Sequence, residues 1–143
     1  MDEAKRHEIR QWLIKAEHDL RSARRLLGDT PPLLDTAAYH CQQTAEKALK
    51  AFLTLHDIPF PKTHLLLPLV ERCTKAAPGF ADLQEAAESL TPFATAFRYP
   101  GDVLEPEQSD VLDGIELAEL VFNVVLSRIP VEVKQDENGA GVK

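Results

Sequence analysis

Between Glu3 and Leu27 the apolar residues Ile9, Trp12, Leu13, Ala16, Leu20, Ala23 and Leu27 all project within about 100° of one another when each residue turns the chain by 100°. That spacing predicts a long amphipathic helix, whose apolar stripe has to be covered by other helices. Asp2 and Glu3 suit the positive N-terminal end of its dipole, Arg24 and Arg25 suit the other end, and Gly28 is a natural stop. The loop Asp29-Thr30-Pro31-Pro32 follows.

A second helix is expected to start with Asp35 as its cap and to run to about His56, with Ala38, Cys41, Ala45, Ala48, Leu49, Phe52 and Leu55 on one face. Nearly opposite, within roughly 80° of each other, lie His40, Gln43, Lys47, Lys50 and Thr54. The first face reads as core and the second as a polar and basic stripe. Pro59 and Pro61 end this helix, and Lys62-Thr63-His64 leads into a short third one over residues 65–76, where Pro68 is tolerated near the first turn. A fourth segment, residues 82–97, is interrupted by Thr91-Pro92 and stops at the turn-forming Arg98-Tyr99-Pro100-Gly101-Asp102. The last helix runs from about Pro106 to Arg128, packing Val111, Leu112, Ile115, Ala118, Val121, Phe122, Val125 and Ile129, and Pro130 ends it.

No internal repeat and no strand-like alternation appears. The expectation is an all-α fold, an antiparallel up-and-down bundle of three long and two shorter helices over residues 1–130. Residues 131–143 hold two glycines, five charged residues and no periodicity, and are expected to form a disordered C-terminal tail.

Composition narrows the class. A chain of 143 residues with 44% hydrophobic content suits one domain. Its longest apolar runs fall far short of the ~20 residues that a membrane span needs. The charged start Met1-Asp2-Glu3-Ala4-Lys5-Arg6 is not a secretory signal, so a cytoplasmic protein without membrane contact is expected. Cys41 and Cys73 form no C-x-x-C and read as buried thiols. A net charge of −7 speaks against a generic nucleic-acid binder but permits a local basic patch. There is no E-x-x-H pair for a dinuclear metal site and no glycine-rich phosphate or dinucleotide loop, so neither metal nor cofactor is expected.

Four stretches in order resemble the HEPN domain family of helical bundles. The first helix carries Trp12, Ala16, Asp19, Leu20 and Ala23, similar to the family's W-x3-A-x2-DL-x2-A opening. The run from Tyr39 to Lys50, YHCQQTAEKALK, is similar to its F-H-x-Q-Q-x-x-E-K-A-L-K signature. Lys62-Thr63-His64-Leu65 and Arg98-Tyr99-Pro100 match its K-T-H-x-L and R-Y-P elements. The resemblance implies a bundle that pairs into a homodimer and is often encoded beside a small nucleotidyltransferase, in systems from toxin-antitoxin pairs to nucleotide-binding modules.

The resemblance also implies a candidate chemistry, metal-independent RNA cleavage by an Arg and a His four to six residues apart. Here no histidine follows Arg98, and Arg10 and His18 have seven residues between them. Enzymatic activity is therefore not expected from that motif. A substitute catalytic pair would be His64 and Arg98, meeting across the bundle with Lys47 or Lys50 to offer cations to a phosphate and an imidazole for proton transfer. The competing reading is structural, with Thr63 and His64 capping the third helix and Arg98 paired with Asp19 or Glu46. The candidate ligand-binding residues are Gln43, Lys47, Lys50, His64, Arg98 and Tyr99, for a nucleotide or RNA phosphate.

Asp19 sits at the edge of the apolar stripe, where a carboxylate needs a partner, either Arg98 or a lysine of the second helix. His7 and His18 read as surface residues, while Trp12, Phe93 and Phe97 serve either the core or a second apolar surface for a homodimer. Three functions follow: a binding module partnering a nucleotidyltransferase, a divergent endoribonuclease toxin, or a purely structural dimerisation unit.

Overall fold

The computed structural model describes residues 1–97, 100, 105–136 and 138–142. Helix α1, Glu3–Leu27, spans the residues the periodicity predicts, and the Asp2 carboxylate caps it by accepting the Lys5 N–H at 2.8 Å. Helix α2, Leu34–Leu55, lies along α1 and is the centre of the molecule, with α5, Gln108–Ser127, against another side. Five alanines of α2, at positions 37, 38, 45, 48 and 51, are fully buried. Small residues at those contacts allow both neighbouring helices to approach closely.

Asp35 does not cap α2. The loop folds back so that the Leu33 N–H donates to Leu26 O at 3.0 Å, which puts Leu33 at the cap position and Asp35 in the first turn. There the Asp35 carboxylate accepts from the adjacent Thr36, from its N–H at 2.8 Å and its Oγ1 at 3.3 Å. At the other end, Asp57 turns the chain with φ 56°, and the Ile58 N–H returns to Leu53 O at 2.9 Å, closing the helix in a Schellman-like turn.

Helix α3, Leu66–Ala76, holds Pro68 in its first turn as expected. The fourth segment is broken into a 3-10 turn, Pro78–Leu83, the short helix α4, Gln84–Leu90, and a second 3-10 turn, Thr91–Ala94. The break at Thr91-Pro92 is the one the sequence marks, since Pro92 has no N–H to continue the ladder. Phe93 reaches from this turn to α5, where a Cβ at Gly114 would stand 2.6 Å from its ring, so glycine makes room for the aromatic. Helix α5 starts two residues after Pro106, through a reciprocal capping box of Glu107 and Asp110.

The expected disordered tail is instead docked onto α1. Residues Val131–Lys134 form the short helix α6, and Val133 and Val142 are buried. Arg10 Nη1 donates to Val133 O at 3.4 Å, and Gln135 bridges to Gly141. A Cβ at Gly141, whose φ is +127°, would come within 2.2 Å of Lys134 O. Two apolar anchors nine residues apart, joined by a glycine-dependent turn, leave no periodic trace in sequence. The core itself is a single cluster that starts at Ile9 and takes in Ile129, Val133 and Val142, with Phe52 and Phe80 ring to ring at 4.4 Å. Cys41 and Cys73 are buried free thiols, both pushed up to about 12 by that burial. Among the described residues no helix is long and apolar enough to cross a membrane.

Candidate functional site

The polar face of α2 does not lie open to water. Two carboxylates organise it, each shared between one lysine and one histidine. Asp19 of α1 is buried and accepts from His40 Nδ1 and Lys47 Nζ, both at 2.7 Å. This meets the expectation that Asp19 needs a partner, and the partner is a lysine of the second helix. Burial alone would raise the Asp19 carboxyl, but the His40 and Lys47 hydrogen bonds and the Lys47 charge outweigh it and hold the group below its ordinary value.

The second carboxylate is Glu46, 5% exposed. Its Oε1 accepts from His64 Nδ1 at 2.9 Å and from Gln42 Nε2 at 3.1 Å, and its Oε2 accepts from Lys50 Nζ at 3.0 Å. Gln42 Nε2 also donates to His64 O at 2.9 Å, and Gln43 Nε2 donates to Gln42 Oε1 at 2.8 Å. The loop that carries His64 is therefore fixed both at its backbone and at its imidazole. Burial opposes ionisation of Glu46, yet the hydrogen bonds from His64, Lys50 and Gln42, with the Lys50 charge, leave its carboxyl lowered as well. The Lys50 ammonium lies over Trp12 and Phe60, 5.7 and 5.6 Å from the ring centroids, and those two rings meet edge to face at 6.3 Å.

This geometry sorts the candidates. Gln43 and Lys50 are each only 7% exposed, so they stand behind the site and not in an open groove. Lys47 is at the rim, a quarter exposed, and His64 projects outward with 57% of its side chain accessible. Neither Thr63 nor His64 caps α3, where Leu65 stands at the cap position without a side-chain cap bond. Thr63 Oγ1 accepts the Leu65 N–H at 3.1 Å in the turn before the helix, the Leu66 N–H donates to Thr91 Oγ1 at 3.2 Å, and His64 turns to Glu46. Arg98 and Tyr99 lie outside the described residues. His7 and His18 are exposed, as their helical positions imply.

Reading the sequence by charge favours the cations and passes over Gln42 and Glu46, which do the organising. The signal is present in the i, i+4 series Gln42, Glu46, Lys50, which reads as a solvated ladder until Trp12 and Phe60 are known to cover it.

An apolar hollow of about 410 Å³ begins at the residue after His64, lined by Leu65, Leu67, Pro68, Thr91 and Pro92, with Glu88 at its edge. A larger, polar one of about 500 Å³ lies far along α1, under the docked C-terminal segment. There Arg6 and Arg10 face three carboxylates, Glu3, Glu132 and Asp136, so its cations are already outnumbered by acids. Among the described residues no three histidine, cysteine or acidic side chains converge to hold a metal ion.

Comparison with known proteins agrees with this architecture. The crystal structure of TT1696 from Thermus thermophilus superposes with a TM-score of 0.74 at 25% identity, covering 85% of this chain and 98% of that one. The crystal structure of ST0689, an archaeal HEPN homologue, gives 0.67 at 26% identity with the same coverage. No curated protein matches the chain significantly. The HEPN domain model matches residues 9–129, from the first core residue of α1 to the end of the bundle, and takes in Asp19, His40, Glu46, Lys47, Lys50 and His64. The chain belongs to the HEPN domain family.

Proposed function

We propose that this HEPN domain is a binding module, the helical partner of a nucleotidyltransferase in a toxin-antitoxin-like or nucleotide-binding system. It works in the cytoplasm as a homodimer and contacts a nucleotide or RNA at the rim of α2 beside His64. Family membership supports the pairing and the partner class.

The observation that carries the contact is the Glu46 cluster, in which Gln42, Gln43, Glu46 and Lys50, none more than 7% exposed, hold an imidazole that is 57% exposed. Buried ionic clusters of this kind rarely stabilise a fold beyond what apolar packing would give. What they do supply is a fixed orientation for the group they hold. Lys47 at the rim, with Arg98 of the R-Y-P element, provides cations for phosphate.

The test is a titration of the purified chain with ATP and with a short single-stranded RNA, read through the fluorescence of its one tryptophan, Trp12. Saturable binding that His64→Ala weakens at least about tenfold is the expected result, the size of a lost well-placed contact. Absence of saturable binding by either ligand would sink the reading. The same RNA incubated without metal separates the ribonuclease alternative, for which the oriented imidazole would be the acid or base. Cleavage that His64→Ala abolishes would replace binding with catalysis.

A further inference from the structure

The hydrogen-bond pattern around His64 fixes which kind of group it can meet. Glu46 receives three donors, from His64, Gln42 and Lys50, and those bonds keep its carboxyl ionised. An ionised carboxylate can only accept, so the proton in the 2.9 Å contact with His64 belongs to Nδ1. In the neutral ring Nε2 is then unprotonated and presents a lone pair. Among the described residues Nε2 has no partner, and the side chain is 57% exposed.

Charge decides how readily that ring stays neutral. A bare carboxylate beside an imidazole favours the imidazolium. Here the Glu46 charge is matched by Lys50 at 3.0 Å, so the ring faces a pair with no net charge. Lys50 cannot swing away easily, because its ammonium is confined over Trp12 and Phe60 and its side chain is 9% exposed. Among the described residues the other ionisable groups on the elements beside it are the exposed Lys62 on the same loop and Glu88 of α4, across the apolar hollow that starts at Leu65.

We infer that His64 Nε2 accepts a hydrogen bond from a ligand hydroxyl, and that Lys50 is a positioning residue that keeps the Glu46–His64 pair charge-balanced, not a phosphate contact. This rests on the nucleotide or RNA reading above, in which the hydroxyl is that of the ribose. A phosphate oxygen is itself an acceptor and would oppose the lone pair, which leaves phosphate to the rim cations. The hollow of about 410 Å³ beside Leu65 offers the attached base an apolar wall.

Two measurements on the full chain test the two halves. With ¹⁵N-labelled histidine at pH 8, and the His64 signals identified by their loss in His64→Ala, the expected spectrum is that of the Nδ1–H tautomer with a pyridine-like Nε2. An Nε2–H tautomer would overturn the assignment. In Lys50→Met the pH at which His64 takes its second proton should shift upward, and Lys50→Arg should restore it. An unchanged midpoint in Lys50→Met contradicts the role given to Lys50.

For the ligand, ATP is compared with 2′,3′-dideoxy-ATP. The dideoxy compound should bind roughly five- to tenfold more weakly, the size of one lost hydrogen bond. His64→Ala should bind the two alike. Equal affinities in the unaltered protein would overturn the hydroxyl contact while leaving the nucleotide reading intact. Failure of both to bind, together with RNA, would instead overturn that reading, and the ring spectra would still decide the role of Lys50.

Discussion

The Asp19 and Glu46 clusters use the same parts and do different things with them. Each is a buried carboxylate shared between a lysine ammonium and a histidine Nδ1. Asp19 reaches from α1 to two residues of α2, and its histidine is only 26% exposed, so that cluster fastens one helix to another. Glu46 reaches from α2 to a loop, and its histidine is 57% exposed. The lysines differ in the opposite sense, a quarter exposed for Lys47 and 9% for Lys50. The same ion-pair chemistry thus serves as a tie where the histidine is enclosed and as a mount where the lysine is.

The largest difference between the clusters should appear when the carboxylate is removed. Glu46→Ala strands the Lys50 ammonium among aromatic rings and should cost about 3–5 kcal/mol in urea denaturation. Asp19→Ala leaves Lys47 and His40 able to recover water and should cost less, about 1–3 kcal/mol. Equal costs would erase the distinction drawn from the lysines. Replacing the buried pair together, as Glu46→Leu with Lys50→Met, should recover much of the loss, since no charge is then left unpaired.

Acid should weaken both clusters in the same direction. Both carboxyls are lowered in the fold from ordinary values of 3.8 and 4.5. The stability they contribute is therefore complete above those values and is lost as pH falls below them, toward the folded-state values. Urea midpoints should hold steady from neutral pH to about 5 and then decline, and the decline should be shallower in Asp19→Asn and in Glu46→Gln. A decline already complete at pH 6 would contradict the carboxylate origin. The smallest stability effects belong to the histidines, about 1 kcal/mol for His40→Ala and within about 0.5 kcal/mol for His64→Ala.

The sequence reached these clusters unevenly, for physical reasons. The limits of α1 and the break at Thr91-Pro92 were legible because periodicity, charge placement and proline chemistry act locally. Asp19 was legible as a carboxylate in need of a partner because its helical angle put it beside the apolar stripe. The burial of Lys50 was not, since it depends on Trp12 and Phe60 arriving from two distant segments. The docking of Val133 and Val142 escaped for a similar reason: they form no pattern until α1 supplies the surface they cover. His64 stood out only through its family-like motif, and the hydrogen bond to Glu46 gives that motif a physical content.

The most direct test sets the two histidines against each other in the same titration. His64→Ala should lose at least about tenfold in affinity for ATP or single-stranded RNA while its urea midpoint stays near that of the unaltered protein. His40→Ala should bind normally and unfold more easily. The reverse pattern, with binding lost at His40 and stability lost at His64, would contradict the division into a tie and a mount.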